Sequence, residues 1–162
     1  DFSRKDQDDF IEKSINDILS STCDIMTHSA KIAEIKLHKK FEAVNDIVFC
    51  SPNQIKQACF ALLVNSSEAI HERGEITLRT FNPDMESLRI EISDNGSGIA
   101  PEDITHIFEP FFSAKRDSSG IGLGLAIVHG IIENHKGKID VESELGKGTT
   151  ITITLNVAGL KK

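Results

Sequence analysis

The sequence has no tryptophan, no tyrosine and only four prolines among its 162 residues. Its core must therefore be mainly aliphatic, supplemented by nine phenylalanines. Cysteine is also scarce: Cys23, Cys50 and Cys59 are odd in number and form no Cys-x-x-Cys pair. This usage argues against a disulfide framework and a structural zinc site, and it favours a reducing compartment.

Long apolar segments are missing as well. The longest apolar run, Cys59 to Val64, is far shorter than the roughly 20 residues of a membrane-spanning helix, and no signal peptide is recognisable. The net charge of −7 argues against a surface for nucleic acid or anionic membranes, but a polyphosphate could still be neutralised locally. From the cysteine usage, the short apolar runs and the lack of a signal peptide we expect a cytoplasmic chain. Because it does not begin with Met, we also expect a fragment of a longer protein, with any membrane anchor outside it.

Hydrophobic periodicity predicts the order of helices and strands. Helices are predicted at about Asp8–Ser29, from Ser51 to about Glu72, at Pro101–Ile107 and at Leu123–His135. Strands or extended segments are predicted at Lys31–Phe41, Ile47–Phe49, Ile76–Phe81, Leu88–Ser93, Lys138–Glu142 and Thr149–Val157. This order predicts an α+β fold, in which about three helices cover one face of a mixed, mostly antiparallel sheet.

The second predicted helix carries a polar stripe beside its apolar face. Its start is marked by Ser51-Pro52-Asn53-Gln54, in which Ser51 caps the first amides and Gln54 completes a capping box. Asn65, Glu68 and Glu72 then share one side of the helix. An amide there can be an ordinary buried hydrogen-bonding group, or its oxygen can bind Mg²⁺. Glu68 either holds a water molecule bound to the metal ion or is a charged side chain exposed to solvent.

Two strands place polar residues on their apolar faces. Asp94 has the same parity as Leu88, Ile90 and Ile92, so its carboxylate is directed toward the core side. Either Asp-Asn-Gly is simply a turn with the side chain in water, or Asp94 accepts a hydrogen bond from a buried donor such as an adenine amino group. Thr149 leans inward by the same rule and could assist Asp94, or be an ordinary strand threonine.

Two glycine-rich segments, Asp94–Ile99 and Gly120–Leu125, follow the spacing of neither a dinucleotide fingerprint nor a P-loop. A Gly-x-Gly-x-Gly turn that leads into a helix suits phosphate binding, although a tightly packed helix entry would use glycine too.

Between the two glycine-rich segments, Ile107–Lys115 holds three phenylalanines beside Pro, Ser and Lys. It is either a lid whose Lys115 reaches phosphate or a hydrophobic anchor for an irregular loop.

Together these elements resemble the catalytic and ATP-binding domain of bacterial sensor histidine kinases, in the gyrase, chaperone and MutL ATPase superfamily. The resemblance covers about Asn53 to Asn156 and rests on four ordered motifs and a typical closing segment. These are an N box at Gln57–Ile70, a G1 box at Asp94–Ile99, an F box at Ile107–Lys115, a G2 box at Gly120–Leu125 and a closing segment at Glu142–Thr150. Phe2-Ser3-Arg4 is similar to the end of the dimerisation helices in nitrogen-regulation-type kinases.

The resemblance implies a Bergerat-type two-layer sandwich and a role for each matched residue. Asp94 would bind the adenine amino group with support from Thr149, Asn65 would hold Mg²⁺, and Lys115 would steady the γ-phosphate. Asn65 and Lys115 are thus the implied catalytic residues. The complete set implied to contact ATP is Asn65, Glu68, Asp94, Gly96, Gly98, Ile99, Phe108, Lys115, Gly120, Gly122, Leu123, Gly124, Leu125 and Thr149.

The same resemblance implies transfer of the γ-phosphate of Mg-ATP to a histidine on a separate dimerisation domain, for relay to a response regulator. No histidine here stands in a phosphoacceptor context, so we expect that domain outside the chain, a homodimeric intact protein and a monomeric fragment. We place the end of the dimerisation segment at residues 1–7, the ATP-binding domain at 8–158 and a tail at 159–162. Nucleic acid is not an expected partner.

At one position the sequence differs from the hydrolytic ATPases of this superfamily. Ala61 stands one turn before Asn65, where the hydrolytic ATPases carry a glutamate base. This disfavours a gyrase-like or chaperone-like ATPase. Two alternatives to a histidine kinase remain open: a degenerate nucleotide-binding module without catalysis, and a serine kinase or anti-sigma factor of the same fold.

Overall fold

The computed structural model describes residues 10–28, 34–71, 73–110 and 124–159. In chain order the elements are β1 (Ile11–Ser14), α1 (Ile15–Met26), β2 (Ile35–Phe41), β3 (Ile47–Cys50), α2 (Pro52–Ala69), β4 (Gly74–Phe81), β5 (Ser87–Asp94), α3 (Pro101–Ile104), α4 (Gly124–Asn134), β6 (Lys138–Glu144) and β7 (Gly148–Asn156). None of the described helices combines the length and apolar composition needed to cross a membrane.

Five strands form the main sheet in the order β2-β4-β5-β7-β6. β2 runs parallel to β4, whereas the other neighbours are antiparallel. β1 and β3 form a separate antiparallel pair. The predicted mixed, mostly antiparallel sheet is therefore confirmed.

The core lies between one face of this sheet and the helices α1, α2 and α4. On β5, Leu88, Ile90 and Ile92 are buried, as the alternation predicted. The same alternation buries Ile151, Ile153 and Leu155 on β7. The apolar sides of the helices cover these residues, and the predicted α+β sandwich is confirmed.

The N-terminal segment differs from the predicted helix of Asp8–Ser29. Ile11–Ser14 form strand β1, paired with β3, and the helix begins only at Ile15. Ser14 ends the strand and caps the helix, since its hydroxyl accepts the Asp17 N–H and also contacts Asp46. Helical spacing of apolar residues was misleading because pairing with β3, a tertiary contact, decides this segment.

Helix α2 begins as predicted but without the capping box. The Ser51 hydroxyl accepts the Gln54 N–H at 3.3 Å. The Gln54 side chain instead accepts a hydrogen bond from Asn134 at the end of α4, at 3.1 Å. The Ser51 N–H, which a capping box would satisfy, donates to His135 Nε2 at 3.1 Å.

Helix α2 also ends earlier than the predicted Glu72, a residue outside the described ranges. Its last residue is Ala69, and Ile70 has extended backbone angles with a buried side chain. The Ala69 carbonyl accepts the N–H of Ser97 at 2.9 Å rather than continuing the helical pattern. Contact with the turn after β5 therefore ends the helix. The predicted Pro101–Ile107 helix is likewise shorter, at Pro101–Ile104.

Candidate functional site

Asp94 lies at the end of β5, half-buried under the helical layer. One carboxylate oxygen, Oδ1, accepts the Gly96 N–H at 2.9 Å, so Asp94 takes part in the predicted turn. Its side chain is nevertheless half-buried and does not extend fully into water. The other oxygen makes no hydrogen bond to another described residue. A half-buried carboxylate oxygen with no partner among the described residues favours a hydrogen-bond donor as ligand.

Thr149 is the direct neighbour of Asp94 across the sheet. The two residues are paired in the antiparallel register of β5 and β7, and both point to the helix-covered face. Thr149 is buried, and its hydroxyl lies 2.8 Å from that of Ser143 on β6. The parity argument therefore placed both side chains correctly, and the register brings them together.

Ser143 belongs to this cluster, although it was not predicted as a site residue. Its hydroxyl accepts the Ile99 N–H at 2.7 Å and donates to the Gly148 carbonyl at 2.9 Å. Its position opposite Thr149 in the β6–β7 hairpin was the available signal, because partners across antiparallel strands share a face. Ser143 thereby joins the segment after β5 to the last hairpin.

Two glycines let the segment after β5 pack closely against its neighbours. A Cβ on Gly96 would lie 2.6 Å from the Ala69 carbonyl oxygen. Gly98 has a φ of +76°, and a Cβ there would lie 2.1 Å from the Glu144 carbonyl oxygen. These contacts account for both glycines by packing and backbone conformation, and they bring the turn against α2 and β6 beside Asp94.

Asn65 and Glu68 lie near the C-terminal end of α2. Asn65 is half-buried, and its amide makes no side-chain hydrogen bond to another described residue. Glu68 is exposed and lines a groove of about 440 Å³ between α1 and α2, together with Ile25 and Phe60. Among the described residues no group of three His, Cys, Asp or Glu side chains could hold a metal ion. The Asn65 amide oxygen is a hard oxygen ligand of the kind that suits Mg²⁺, an ion that keeps several waters and binds substrate phosphates.

The described part of the F box packs on α4. The Phe108 ring lies 5.4 Å from the ring of His129, and Ile107 is buried. At the start of α4, Gly124 is exposed and Leu125 packs against the core. Ile99 is half-buried, and its N–H is held by Ser143. The remaining predicted contacts, Lys115, Gly120, Gly122 and Leu123, lie outside the described residues.

The three buried cysteines are not suited to act as nucleophiles. Burial raises the pKa of the Cys59 thiol to about 12 and that of Cys50 to about 11. Burial likewise raises the pKa of Cys23. All three thiols are therefore protonated near neutral pH and are poor nucleophiles.

The family described as Histidine kinase-, DNA gyrase B-, and HSP90-like ATPase matches residues 50–159. The chain belongs to this family. The match includes the strands that carry Asp94 and Thr149 and the helix that carries Asn65. It confirms the predicted superfamily and the Bergerat-type fold, and it supports ATP as the nucleotide of this domain.

Within this family, the chain is similar to histidine kinases. Sporulation kinase E of Bacillus subtilis is 34% identical over 148 residues, which are 90% of this chain and 20% of that protein. The sensor histidine kinase ZraS of Escherichia coli K12 is 33% identical over 143 residues, 88% of this chain and 30% of that protein. The chain thus spans about one-fifth to one-third of the length of such relatives.

Solved structures agree with the fold. The catalytic domain of histidine kinase ThkA, in a nucleotide-free form, has a TM-score of 0.77 and 28% identity, covering 91% of this chain and 97% of that one. The mycobacterial sensor histidine kinase MprB has a TM-score of 0.81 at 23% identity, covering 90% and 97%. The predicted histidine kinase catalytic domain is therefore supported, whereas its nitrogen-regulation subgroup stays a prediction.

Proposed function

We propose that this domain binds Mg-ATP and transfers the γ-phosphate to a histidine on a dimerisation domain outside the chain, for relay to a response regulator. The observation that carries the proposal is the pairing of Asp94 with Thr149. It creates a small polar site at the edge of an otherwise apolar layer, with a carboxylate oxygen left to accept a hydrogen bond. The intact protein would be a homodimer, with residues 8–158 as its ATP-binding domain.

Asp94 would bind the base through this carboxylate oxygen. An adenine amino group is a donor that satisfies it, whereas a 6-oxo purine presents an acceptor at the corresponding position. The turn from Gly96 to Ile99 would form one wall of the base pocket, since α2 and β6 hold it in place through Ala69 and Ser143. These residues bind and orient the nucleotide.

Asn65 would be the protein ligand of Mg²⁺ in this proposal. Its half-buried amide makes no hydrogen bond to another described side chain, and a single protein oxygen suffices when phosphates and waters complete the coordination. The ion would neutralise charge on the phosphates during transfer. Glu68 remains a proposed contact, although in this structure it faces the groove toward α1. Lys115 and the glycines of the G2 box remain predicted phosphate contacts.

Ala61 favours transfer to a protein over hydrolysis. It lies on α2 one turn before Asn65 and cannot deprotonate water. A site without that base can hold ATP until an acceptor histidine arrives, and phosphoryl transfer depends mainly on positioning and charge stabilisation. The acceptor nitrogen attacks the γ-phosphorus, the bond from that phosphorus to the β,γ-bridging oxygen breaks, and ADP leaves.

Calorimetric titration followed by a transfer assay tests the proposal. The domain should bind ATP in the presence of Mg²⁺, and addition of a histidine phosphoacceptor domain from a related kinase should yield an acid-labile phosphoprotein. ATP binding with no transfer to any supplied acceptor domain would support the degenerate module instead. An acid-stable product would indicate hydroxyl phosphorylation by a serine kinase, and absence of ATP binding would contradict the proposal altogether.

A further inference from the structure

The hydroxyl of Ser143 has its full set of hydrogen bonds in the structure. It accepts the Ile99 N–H at 2.7 Å, and it lies 2.9 Å from the Gly148 carbonyl oxygen and 2.8 Å from the Thr149 hydroxyl. A carbonyl can only accept, so the single Ser143 proton goes to Gly148. The third contact must then be donated by Thr149.

This assignment determines what Thr149 can offer a ligand. Because its proton is directed to Ser143, the Thr149 oxygen has only lone pairs left. Thr149 adjoins Asp94 on the same face, and Asp94 is itself an acceptor. The pair therefore presents two acceptors and no donor to whatever binds there.

We propose that Ser143 is a positioning residue that holds Thr149 as a hydrogen-bond acceptor and thereby contributes to selection of 6-amino over 6-oxo purine nucleotides. The inference rests on the proposed function, since it assumes a purine beside Asp94. Without Ser143, the Thr149 hydroxyl can rotate and donate to a 6-oxo group or to a water bound to it. Ser143 acts through Thr149 and touches no reacting atom.

The test compares affinities for ATP and inosine triphosphate, which carries the 6-oxo group without an added 2-amino group. Wild-type domain should prefer ATP. Ser143→Ala should reduce the ratio of the two affinities by about 5- to 10-fold, the effect of one hydrogen bond whose direction can be reversed. Ser143→Thr, which retains a hydroxyl, should keep the wild-type ratio.

The chain supplies a matched control on the other face of the same sheet. The Ser93 hydroxyl lies 2.8 Å from the Thr150 hydroxyl, across β5 and β7. Thr150 follows Thr149 and so points away from Asp94. Ser93→Ala removes the same kind of Ser–Thr contact and should leave the affinity ratio unchanged.

A double-mutant cycle distinguishes positioning from a purely structural role. In a Thr149→Val background, Ser143→Ala should have no further effect on the ratio, because no hydroxyl remains to be oriented. Equal losses of ATP and inosine triphosphate affinity in Ser143→Ala would overturn the inference while leaving the proposed function intact. Failure of wild-type domain to bind ATP would overturn both. If Ser143→Ala does not fold, Ser143→Cys, with its weakly bonding thiol, carries the same expectation.

Discussion

His135 and Ser51, separated by 84 positions in the chain, are joined by a buried hydrogen bond. The Ser51 N–H donates to His135 Nε2 at 3.1 Å, and His135 Nδ1 donates to the Ile131 carbonyl at 2.8 Å. The imidazole is therefore neutral, with its proton on Nδ1. The Phe10 ring stacks on it with 4.7 Å between centroids. This one side chain connects the end of α4, the start of α2 and the segment that leads into β1.

This arrangement predicts a loss of stability in mild acid. Burial lowers the pKa of His135 from its usual value near 6.5. The neutral form is favoured in the folded state, so its contribution is complete above about pH 6.5 and is lost as the pH falls through the lower folded-state pKa. Protonation removes the acceptor of the Ser51 N–H. Between pH 7.5 and pH 5.5, linkage to an unfolded-state pKa near 6.5 limits the loss of unfolding free energy from this one histidine to at most about 1.4 kcal/mol. Urea unfolding at pH 7.5 and at pH 5.5 measures the effect.

His135→Gln is the variant that isolates this group. A glutamine amide offers an acceptor but does not titrate, so the free energy of unfolding should fall less between the two pH values than in wild type. His38→Gln is a suitable control, since His38 is an exposed histidine whose partner is Glu75. Equal pH dependence in wild type and His135→Gln would show that His135 does not cause the loss.

Gly98 and Gly146 form a natural pair for testing the turn after β5. Both have positive φ, at +76° and +80°, but a Cβ on Gly146 meets nothing within 4 Å, whereas one on Gly98 meets the Glu144 carbonyl oxygen. Gly146→Ala should cost about 1–2 kcal/mol of backbone strain. Gly98→Ala should cost at least about 2 kcal/mol more through the clash and should weaken ATP binding. Similar unfolding free energies in the two variants would contradict this account.

Asp94→Asn tests base recognition while leaving the turn intact. The asparagine oxygen can still accept the Gly96 N–H, so we expect a melting temperature close to that of wild type. The amide nitrogen then replaces the acceptor oxygen with a donor, and ATP affinity should fall by about 100-fold or become undetectable. Asp140→Asn, at an exposed position on β6, is the charge-matched control. Unchanged ATP affinity in Asp94→Asn, measured by calorimetry, would refute the adenine assignment.

Asn65→Ala tests the proposed magnesium ligand. The Asn65 amide has no side-chain hydrogen bond to another described residue and alanine favours helix, so the domain should fold normally. ATP affinity should drop by about 10-fold in Mg²⁺ and remain unchanged in EDTA. Asn53→Ala, in the exposed first turn of the same helix, should have neither effect. Equal losses with and without Mg²⁺ would argue for a direct contact with the nucleotide instead.

The predictable part of the site follows from local periodicity. Alternation along β5 and β7 placed Asp94 and Thr149 on the buried face because successive strand residues point to opposite sides. The start of α2 at Ser51 was predictable because it too is local: a capping side chain bonds to an N–H within one helical turn. The segment Ile11–Ser14 was not, because its pairing with β3 outweighs a helical pattern of apolar residues.

The α+β architecture, the family and the faces on which the candidate site residues lie could all be predicted from the sequence, since each depends on spacing within one element or on a short motif. Tertiary structure alone decided the strand register that sets Thr149 beside Asp94, and the contact of Ser97 with Ala69 that ends α2. It also brings the Thr149 hydroxyl within hydrogen-bond distance of Ser143, and His135 within reach of the Ser51 N–H. These features depend on hydrogen-bond partners from distant segments, which only packing brings within reach.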